Sequence, residues 1–211
     1  SLVLGQPDFT TNSAPTNRED KTKLVRPLSV ALDSTGRIYV TDVGLRVLYY
    51  PASAANINGA PADRILGTRP RTVTGQPVLP PVNEFTIGAP ANQPAEGIVV
   101  VDNRLLVLDS AANRALLYDP PEQWPAETQN QPSPPARFVF GQTNFNVSNK
   151  DGGPGATNAS GFSSPGAAIF SNGELFVADT GNNRILVFRQ AAGTFSSASR
   201  VLGQLGFDLG A

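Results

Sequence analysis

Acidic and basic side chains recur at one place in this chain, and they are the first candidates for chemistry. Three times an apolar run ends in Asp and resumes after Arg, in the pairs Asp42 and Arg46, Asp109 and Arg114, and Asp179 and Arg184. A carboxylate beside a guanidinium could bind an anion or take part in acid–base chemistry. Because the pair returns in every unit, we predict a structural role instead, in which Asp caps turn amides and Arg pairs across the turn.

Glu96 is the carboxylate that departs from this pattern. It occupies the place where the other units have Ser29 and Ala167, just before the strand predicted to lie innermost in its unit. A carboxylate oxygen there could ligate Ca or Mg together with neighbouring Asn and Asp side chains. The alternative is a hydrated Glu at a wet rim, because a lone carboxylate is a poor cation site. The expected cofactor is none, with Glu96 as the candidate channel or metal residue.

Two further features are candidates for contact with a partner. Arg69 and Arg71 form a small basic spot, with no acid between them and Glu84, that suits an anionic group. Trp124, the single Trp, lies in a Pro-rich loop at the opposite face, as a packing anchor or as an exposed recognition aromatic.

The overall charge is nearly balanced, with 16 Lys and Arg, 17 Asp and Glu, and a formal net charge of -1. No strong field is available to attract nucleic acid or an anionic membrane, so neither is an expected partner. The chain contains no Cys and no His. Zinc sites built on imidazole or thiolate, Cys nucleophiles and Ser-His-Asp triads therefore lack their essential groups. The lack of Cys also favours an extracytoplasmic or secreted protein.

The elements that must position these residues follow from a second repeat. The phrase Val3-Leu4-Gly5-Gln6 returns three times, as Val139-Phe140-Gly141-Gln142, as Val201-Leu202-Gly203-Gln204 and, in degraded form, as Ile65-Leu66-Gly67-Thr68. Between these phrases each unit contains three more short apolar runs, separated by turns rich in Gly, Asn and Asp. The 19 Pro and 20 Gly residues exclude long helices.

Four antiparallel strands in each unit predict an all-β fold built from β-propeller blades. We predict a single β-propeller segment over residues 1–211 with three four-stranded blades. Its parts are the fourth strand of a preceding blade at 1–9, blade one at about 27–68, blade two at about 94–142 and blade three at about 165–207. Long loops join each fourth strand to the next first strand, and strand alternation places them on the face of the Asp turns.

The third unit resembles an NHL repeat. The resemblance rests on Pro165-Gly166-Ala167-Ala168-Ile169, on the run from Leu175 to Ile185 with its Asp-x-x-Asn-x-Arg turn, and on Val187-Phe188. The second unit is similar from Asp109 to Arg114, whereas the first shortens its turn and loses the Asn. The Gly-Gln-x-x-Phe phrase is similar to the bacterial extracytoplasmic branch of the family. The resemblance implies a propeller, commonly six-bladed, of which three blades would be a part or half.

We expect a noncatalytic binding or scaffold module that presents its long loops on one propeller face to a protein, peptide or glycan ligand. A homodimer that closes a six-bladed ring is a further candidate assembly. The first alternative is a metal-dependent (Ca or Mg) hydrolase or lactonase-like enzyme with its site in the propeller channel, as in some related six-bladed propellers. The second is an RNA-binding NHL propeller, as among animal members of the family. Members that act as amidating lyases use histidine-bound metal, from which this chain departs.

Overall fold

Twelve short strands form three separate antiparallel sheets in the computed structural model, which describes residues 1–68, 81–153 and 157–209. Blade one contains β1 (Pro27–Leu32), β2 (Ile38–Asp42), β3 (Arg46–Tyr50) and β4 (Arg64–Leu66). Blade two contains β5 (Gly97–Val101), β6 (Arg104–Asp109), β7 (Arg114–Leu117) and β8 (Phe138–Phe140). Blade three contains β9 (Pro165–Ser171), β10 (Glu174–Asp179), β11 (Arg184–Arg189) and β12 (Arg200–Leu202). The prediction of an all-β fold with three four-stranded blades is confirmed.

Helical structure within the described part of the chain is limited to single 3-10 turns. These lie at Ala52–Asn56, Ser110–Ala112, Pro121–Gln123, Lys150–Gly152 and Thr180–Asn182. No helix there is long and apolar enough to cross a membrane. Frequent Gly and Pro account for the short elements, because both residues interrupt regular backbone hydrogen bonding.

Each sheet follows the chain order, and its strands pair antiparallel with their neighbours. The register of the second and third strands places the repeated Asp directly opposite the repeated Arg, in the pairs Asp42 and Arg46, Asp109 and Arg114, and Asp179 and Arg184. Directly opposite residues share one face of a sheet. The strand pairing therefore brings these charged side chains together.

The innermost strands lie side by side, with β5 between β1 and β9. The blades consequently stack face to face, and apolar residues of neighbouring sheets form a core layer at each junction. The layer between blades one and two includes Tyr39, Tyr49, Leu66, Ile98 and Val107. The layer between blades two and three includes Leu106, Leu117, Phe162, Val177 and Phe188.

A third apolar layer covers part of the outer face of blade one. Leu48, Tyr50 and Ala54 pack there against Leu4 and Leu24 of the N-terminal segment. Residues 1–9 are not hydrogen-bonded into a sheet. They lie on the outer face of blade one, and no strand of the described residues pairs with them.

The turn before each repeated Arg has a left-handed residue, which explains the Asn at this place. Asn113 has φ 51° and Asn183 has φ 52°, and Leu45 takes the equivalent place in blade one with φ 60°. Asn tolerates this conformation better than most residues because its short polar side chain can bond locally. The shorter turn of blade one puts a Leu in a conformation that costs about 1–2 kcal/mol.

Candidate functional site

The repeated Asp and Arg side chains form ion pairs that are removed from solvent. Nε of Arg114 lies 2.9 Å from Oδ2 of Asp109, and Nε of Arg184 lies 2.7 Å from Oδ2 of Asp179. In blade one, Nη2 of Arg46 lies 2.9 Å from Oδ2 of Asp42. All six side chains have 0% exposure. No solute can reach these charges, so the pairs are poorly placed to bind an anion or a substrate.

Each Asp also accepts the backbone N–H of the loop that leads into the first strand of its blade. Asp42 accepts from Val25 at 3.1 Å, Asp109 from Gly88 at 2.9 Å and Asp179 from Ser163 at 2.6 Å. Val25, Gly88 and Ser163 are therefore equivalent positions. Asp42 also accepts the turn amide of Gly44 at 3.2 Å. The carboxylate ties both the incoming loop and the turn to the blade.

The guanidinium groups bind carbonyls of the long loops. Arg114 donates to the carbonyl oxygens of Thr86 at 2.8 Å and Phe145 at 2.7 Å. Arg184 donates to those of Asn158 at 2.8 Å and Phe207 at 2.6 Å. One side chain therefore fixes the loop before its blade and the phrase after its fourth strand.

In blade one the guanidinium fixes the N-terminal loop at several points. Arg46 donates to the carbonyl oxygens of Arg18, Asp20 and Lys23 at 2.7–2.8 Å. Buried charged donors need such acceptors, because an unpaired buried charge is strongly destabilising. The long loops therefore lie on the face of the Asp turns, and buried contacts hold them in place.

Burial also affects the acid in blade two. Removal from water raises the pKa of Asp109, while the guanidinium of Arg114 and the N–H of Gly88 act in the opposite direction.

Glu96 is exposed and lies directly before β5, but its equivalents are not those expected from the sequence. Gly97 is opposite Leu108, as Ser29 is opposite Thr41 in blade one. Glu96 therefore corresponds to Leu28 and Gly166, one residue earlier than the expected Ser29 and Ala167. The difference arises because Pro94 precedes Gly97 by three residues, whereas Pro27 precedes Ser29 and Pro165 precedes Ala167 by two.

Glu96 lies beside the first strand of blade three. Its Oε2 lies near the start of β9, 3.6 Å from where a Cβ on Gly166 would be. Among residues 1–68, 81–153 and 157–209, no three His, Cys, Asp or Glu side chains come together as a metal site. Arg69 and Arg71, the predicted anion contacts, lie outside the described residues.

The sequence left open whether Trp124 is a packing anchor or an exposed recognition aromatic. Its indole N–H donates to the carbonyl of Asp119 at 2.7 Å, and its ring meets Tyr49 edge-on with centroids 5.2 Å apart. Arg64 lies over the same ring at 5.9 Å. Trp124 is half-buried. It therefore packs across the junction of blades one and two while part of its surface stays open.

Two clefts meet at Trp124. The larger, about 460 Å³, is lined by Trp124 together with Glu84, Asp119, Arg137, Asn144 and Asn146. The smaller, about 210 Å³, is lined by Tyr49, Asp63, Arg64, Pro121 and Glu122 beside the same Trp. An aromatic surface next to amide and carboxylate groups suits a ligand with both apolar and hydrogen-bonding parts. The Pro-rich sequence around the single Trp was the only sequence signal of this site.

Arg64 carries most of the positive charge at the smaller cleft. Burial lowers its pKa, and Glu127 and Asp63 oppose that shift. Nε of Arg64 is 3.7 Å from Oε2 of Glu127, which also binds Nζ of Lys21 at 2.5 Å. Nη1 donates to the carbonyl of Pro125 at 2.9 Å, whereas the buried Nε and Nη2 make no hydrogen bond within the described structure. The guanidinium is thus only partly satisfied.

Comparison with known proteins identifies one repeat of a known family in this chain. Residues 166–188 match the family model of the NHL repeat. No curated protein sequence matches the chain. Among solved structures, Sqt1 of Saccharomyces cerevisiae is 12% identical over 87% of this chain and 36% of its own, with a TM-score of 0.48. BamB from Moraxella catarrhalis is 9% identical over 83% of this chain and 37% of its own, with a TM-score of 0.40.

A streptogramin B lyase structure is 12% identical over 89% of this chain and 56% of its own, with a TM-score of 0.33. This chain therefore spans between 36% and 56% of the length of these three structures. The match at residues 166–188 coincides with β9 to β11 and their Asp–Arg turn. Residues 166–188 of blade three are an NHL repeat, as the sequence predicted.

Proposed function

We propose that this chain is a noncatalytic binding or scaffold module whose partner is a protein or peptide. The binding surface is the loop face, defined as residues 8–26, 81–93, 143–153 and 157–164. The observation that carries the proposal is the anchoring of these loops by buried guanidinium groups. Loops that are ordered before binding lose less conformational entropy when a partner docks.

The composition of the loop face supports a partner with mixed polar chemistry. Its exposed side chains include Asn92 on one segment and Asn144 and Lys150 on another. Amide and ammonium groups at a surface act as adaptable hydrogen-bond donors. A peptide segment offers many backbone acceptors for such donors. The loops therefore form a stable surface with adaptable contacts.

A selection from a random peptide library against the immobilised chain tests this proposal. We expect enriched peptides to bind with micromolar affinity or better, and to lose about tenfold or more in affinity when Asn92 or Asn144 is changed to Arg. Ser34→Arg, in the β1–β2 turn, and Ser171→Arg, at the end of β9, place the same bulk at exposed positions away from the loop face. Peptides whose binding depends on these control positions, or a selection without enrichment, would contradict the proposal.

A glycan is the second candidate ligand, and the clefts at Trp124 favour it. Sugars present apolar ring faces together with hydroxyl groups, which match an aromatic ring beside Asn and carboxylate side chains. Because Trp124 is the only Trp, its fluorescence reports directly on this site. We expect at least one oligosaccharide of a test set to change the emission of Trp124 until the signal saturates. The variant Asn146→Ala should weaken this response. Emission that no sugar changes would remove this candidate.

The remaining alternatives have direct tests. A hydrolase with a channel metal requires heat on calorimetric titration with Ca²⁺, Mg²⁺ or Mn²⁺ that Glu96→Gln abolishes. An RNA-binding protein requires retention on an RNA column at moderate salt. An extracytoplasmic location stays part of the proposal and is supported by the lack of Cys.

A further inference from the structure

We propose that the cleft beside Asp151 binds a basic side chain, Lys or Arg, of the partner peptide. The cleft lies on the loop face, where residues 143–153 meet residues 157–164. The inference rests on the loop-face proposal for the kind of partner, and it adds the chemistry by which that partner is recognised. The observation behind it is a buried carboxylate that has no charge partner in the described part of the chain.

Asp151 is an exception among the buried acids. Of residues 1–68, 81–153 and 157–209, five Asp side chains are buried. Four of the five form an ion pair with Arg, namely Asp33 with Arg37, Asp42 with Arg46, Asp109 with Arg114 and Asp179 with Arg184. Asp151 is 7% exposed and forms no ion pair within those ranges, and Lys150 beside it in the sequence is exposed. Because an unpaired buried charge is destabilising, its presence indicates a role other than stability.

The carboxylate of Asp151 has a single hydrogen-bond donor in the described structure. Nδ2 of Asn182 donates to Oδ1 of Asp151 at 2.6 Å and to Oδ2 of Asp179 at 2.9 Å. Oδ2 of Asp151 accepts no hydrogen bond from a described residue. An ionised carboxylate has about four acceptor sites on its two oxygens. Most of this capacity is therefore available to a donor that enters the cleft.

Gln142 lines the same cleft and adds a second acceptor. Its Nε2 donates to the carbonyl oxygens of Asn113 at 2.9 Å and Asn149 at 2.7 Å, which fixes the orientation of the amide. Its Oε1 is buried and has no donor within the described structure. A buried acceptor without a donor is destabilising in the same way as an unpaired charge, although to a smaller extent. A ligand that only donates hydrogen bonds would satisfy both Gln142 and Asp151.

The size and the polarity of the cleft favour a single basic side chain. Its volume of about 260 Å³ is below the roughly 300–1,000 Å³ of sites for drug-sized ligands. Lys and Arg both carry the positive charge that Asp151 lacks, and both have donors and no acceptor. A neutral side chain would leave the carboxylate of Asp151 buried without a partner, so the site disfavours it. The cleft is therefore expected to distinguish basic peptides from neutral ones.

The backbone around Asp151 is held in place without a ligand. The N–H of Asp151 donates to the carbonyl of Phe162 at 2.8 Å, and Nδ2 of Asn158 donates to the carbonyl of Asp151 at 2.9 Å. Oδ1 of Asn158 also accepts the N–H groups of Ser160 and Gly161, both at 2.8 Å. A Cβ on Gly161 would lie 2.1 Å from the carbonyl oxygen of Asp151, so the two segments pass at a distance that only Gly allows. A carboxylate fixed in this way loses little conformational entropy on binding.

Titration of the full chain with a capped Gly-Lys-Gly tripeptide, followed by amide NMR, tests the inference. We expect the tripeptide to shift the signals of Gly152 and Gly161 until they saturate, with millimolar affinity. The same tripeptide with an acetylated Lys has no charge and should bind about tenfold more weakly or less. Asp151→Asn removes the charge at nearly constant shape and should weaken the Lys tripeptide about tenfold or more. Asp102→Asn removes an exposed carboxylate from the β5–β6 turn and should leave binding unchanged.

Urea unfolding of the variants separates recognition from a structural role. Asp151→Asn should keep or raise the urea midpoint, because it removes an unpaired buried charge, whereas Asp179→Asn breaks a buried ion pair and should lower it. A strongly lowered midpoint for Asp151→Asn would make this residue structural and overturn the inference.

The binding results have equally direct consequences. A Lys tripeptide that does not bind, or that binds Asp151→Asn as tightly as the original chain, would contradict the inference. Binding of Ca²⁺ that Asp151→Asn abolishes, without binding of the Lys tripeptide, would assign the cleft to a metal instead. Library peptides that bind the loop face without any basic residue would overturn this inference alone and leave the loop-face proposal standing.

Discussion

Nε of Arg184 lies 2.7 Å from Oδ2 of Asp179, and neither side chain is exposed. The same guanidinium binds the carbonyls of Asn158 and Phe207 on two separate loops. Because these charges have no access to water, they stabilise the protein only when each charged group has its partners. The pair therefore acts as a clamp between the strands of blade three and the loops around it.

Breaking this clamp should strongly destabilise the protein. Arg184→Met leaves Asp179 buried without its charge partner, and we expect a loss of about 3–5 kcal/mol in the free energy of unfolding. Arg189→Met, on the same strand, changes a side chain that is 71% exposed and should cost about 0.5 kcal/mol or less. Urea unfolding followed by circular dichroism measures both. Equal losses in the free energy of unfolding for the two variants would show that the buried Arg184 stabilises the protein no more than the exposed Arg189.

For Arg64, which is also buried, we expect no comparable loss of stability on replacement. Its Nε and Nη2 make no hydrogen bond in the described structure, and its ion pair with Glu127 is long at 3.7 Å. Because desolvation of this charge is poorly repaid, Arg64→Met should change stability by about 1 kcal/mol or less, or increase it. The matched variant Arg46→Met removes a fully paired guanidinium and should cost about 3–5 kcal/mol. Thermal and urea unfolding of the two variants give the comparison.

The Gly of the repeated phrase should not tolerate a side chain. Gly141 has φ 87°, and a Cβ there would lie 2.3 Å from Cδ2 of Phe162 and 2.9 Å from the carbonyl of Asn113. Gly173 has φ 73°, but a Cβ there would meet nothing within 4 Å. Gly173→Ala should cost only the left-handed strain of about 1–2 kcal/mol. Gly141→Ala should cost clearly more, and similar unfolding midpoints for the two variants would contradict the steric argument.

Stability should fall at low pH through Asp33. Burial would raise the pKa of this carboxyl, but hydrogen bonds from Thr35 and Arg37 outweigh it and hold the pKa below its ordinary value of 3.8. A lowered folded-state pKa stabilises the protein at pH above 3.8, and this contribution is lost as the pH falls through the folded value.

Comparison with Asp33→Asn isolates this contribution. At pH 7 the variant should be less stable by about 1–3 kcal/mol, because it loses a charged acceptor of buried hydrogen bonds. The difference between the two proteins should narrow as the pH falls below 3.8. Urea unfolding at a series of pH values measures it. A difference that is constant across this range would exclude titration of Asp33 as the cause.

Much of the fold could be predicted because its signals are local. The run from Leu175 to Asp179, its turn and the run after Arg184 specify a hairpin within a few residues, and the repeated phrase marks each fourth strand. The alignment at Glu96 was wrong by one residue, because blade two has one more residue between its Pro and the equivalent strand position than the other two blades have.

The site around Trp124 could not be predicted to the same extent. Its contacts with Tyr49 and Arg64 join different blades and depend on how two sheets stack. The sequence also could not predict which carbonyl groups bind the repeated Arg. Every loop residue has a carbonyl oxygen, and only the path of the loop in the folded protein brings a particular one to the guanidinium.

The sequence by itself determined the repeated strands, the turns and the pairing of Asp with Arg, since each depends on residues close along the chain. Only the tertiary structure decided that Arg114 holds Thr86 and Phe145, that Trp124 spans a blade junction and that Val30 and Leu202 stay exposed at the outer faces. These features follow from contacts between distant segments, where burial and sheet stacking select among partners that the local sequence leaves equivalent.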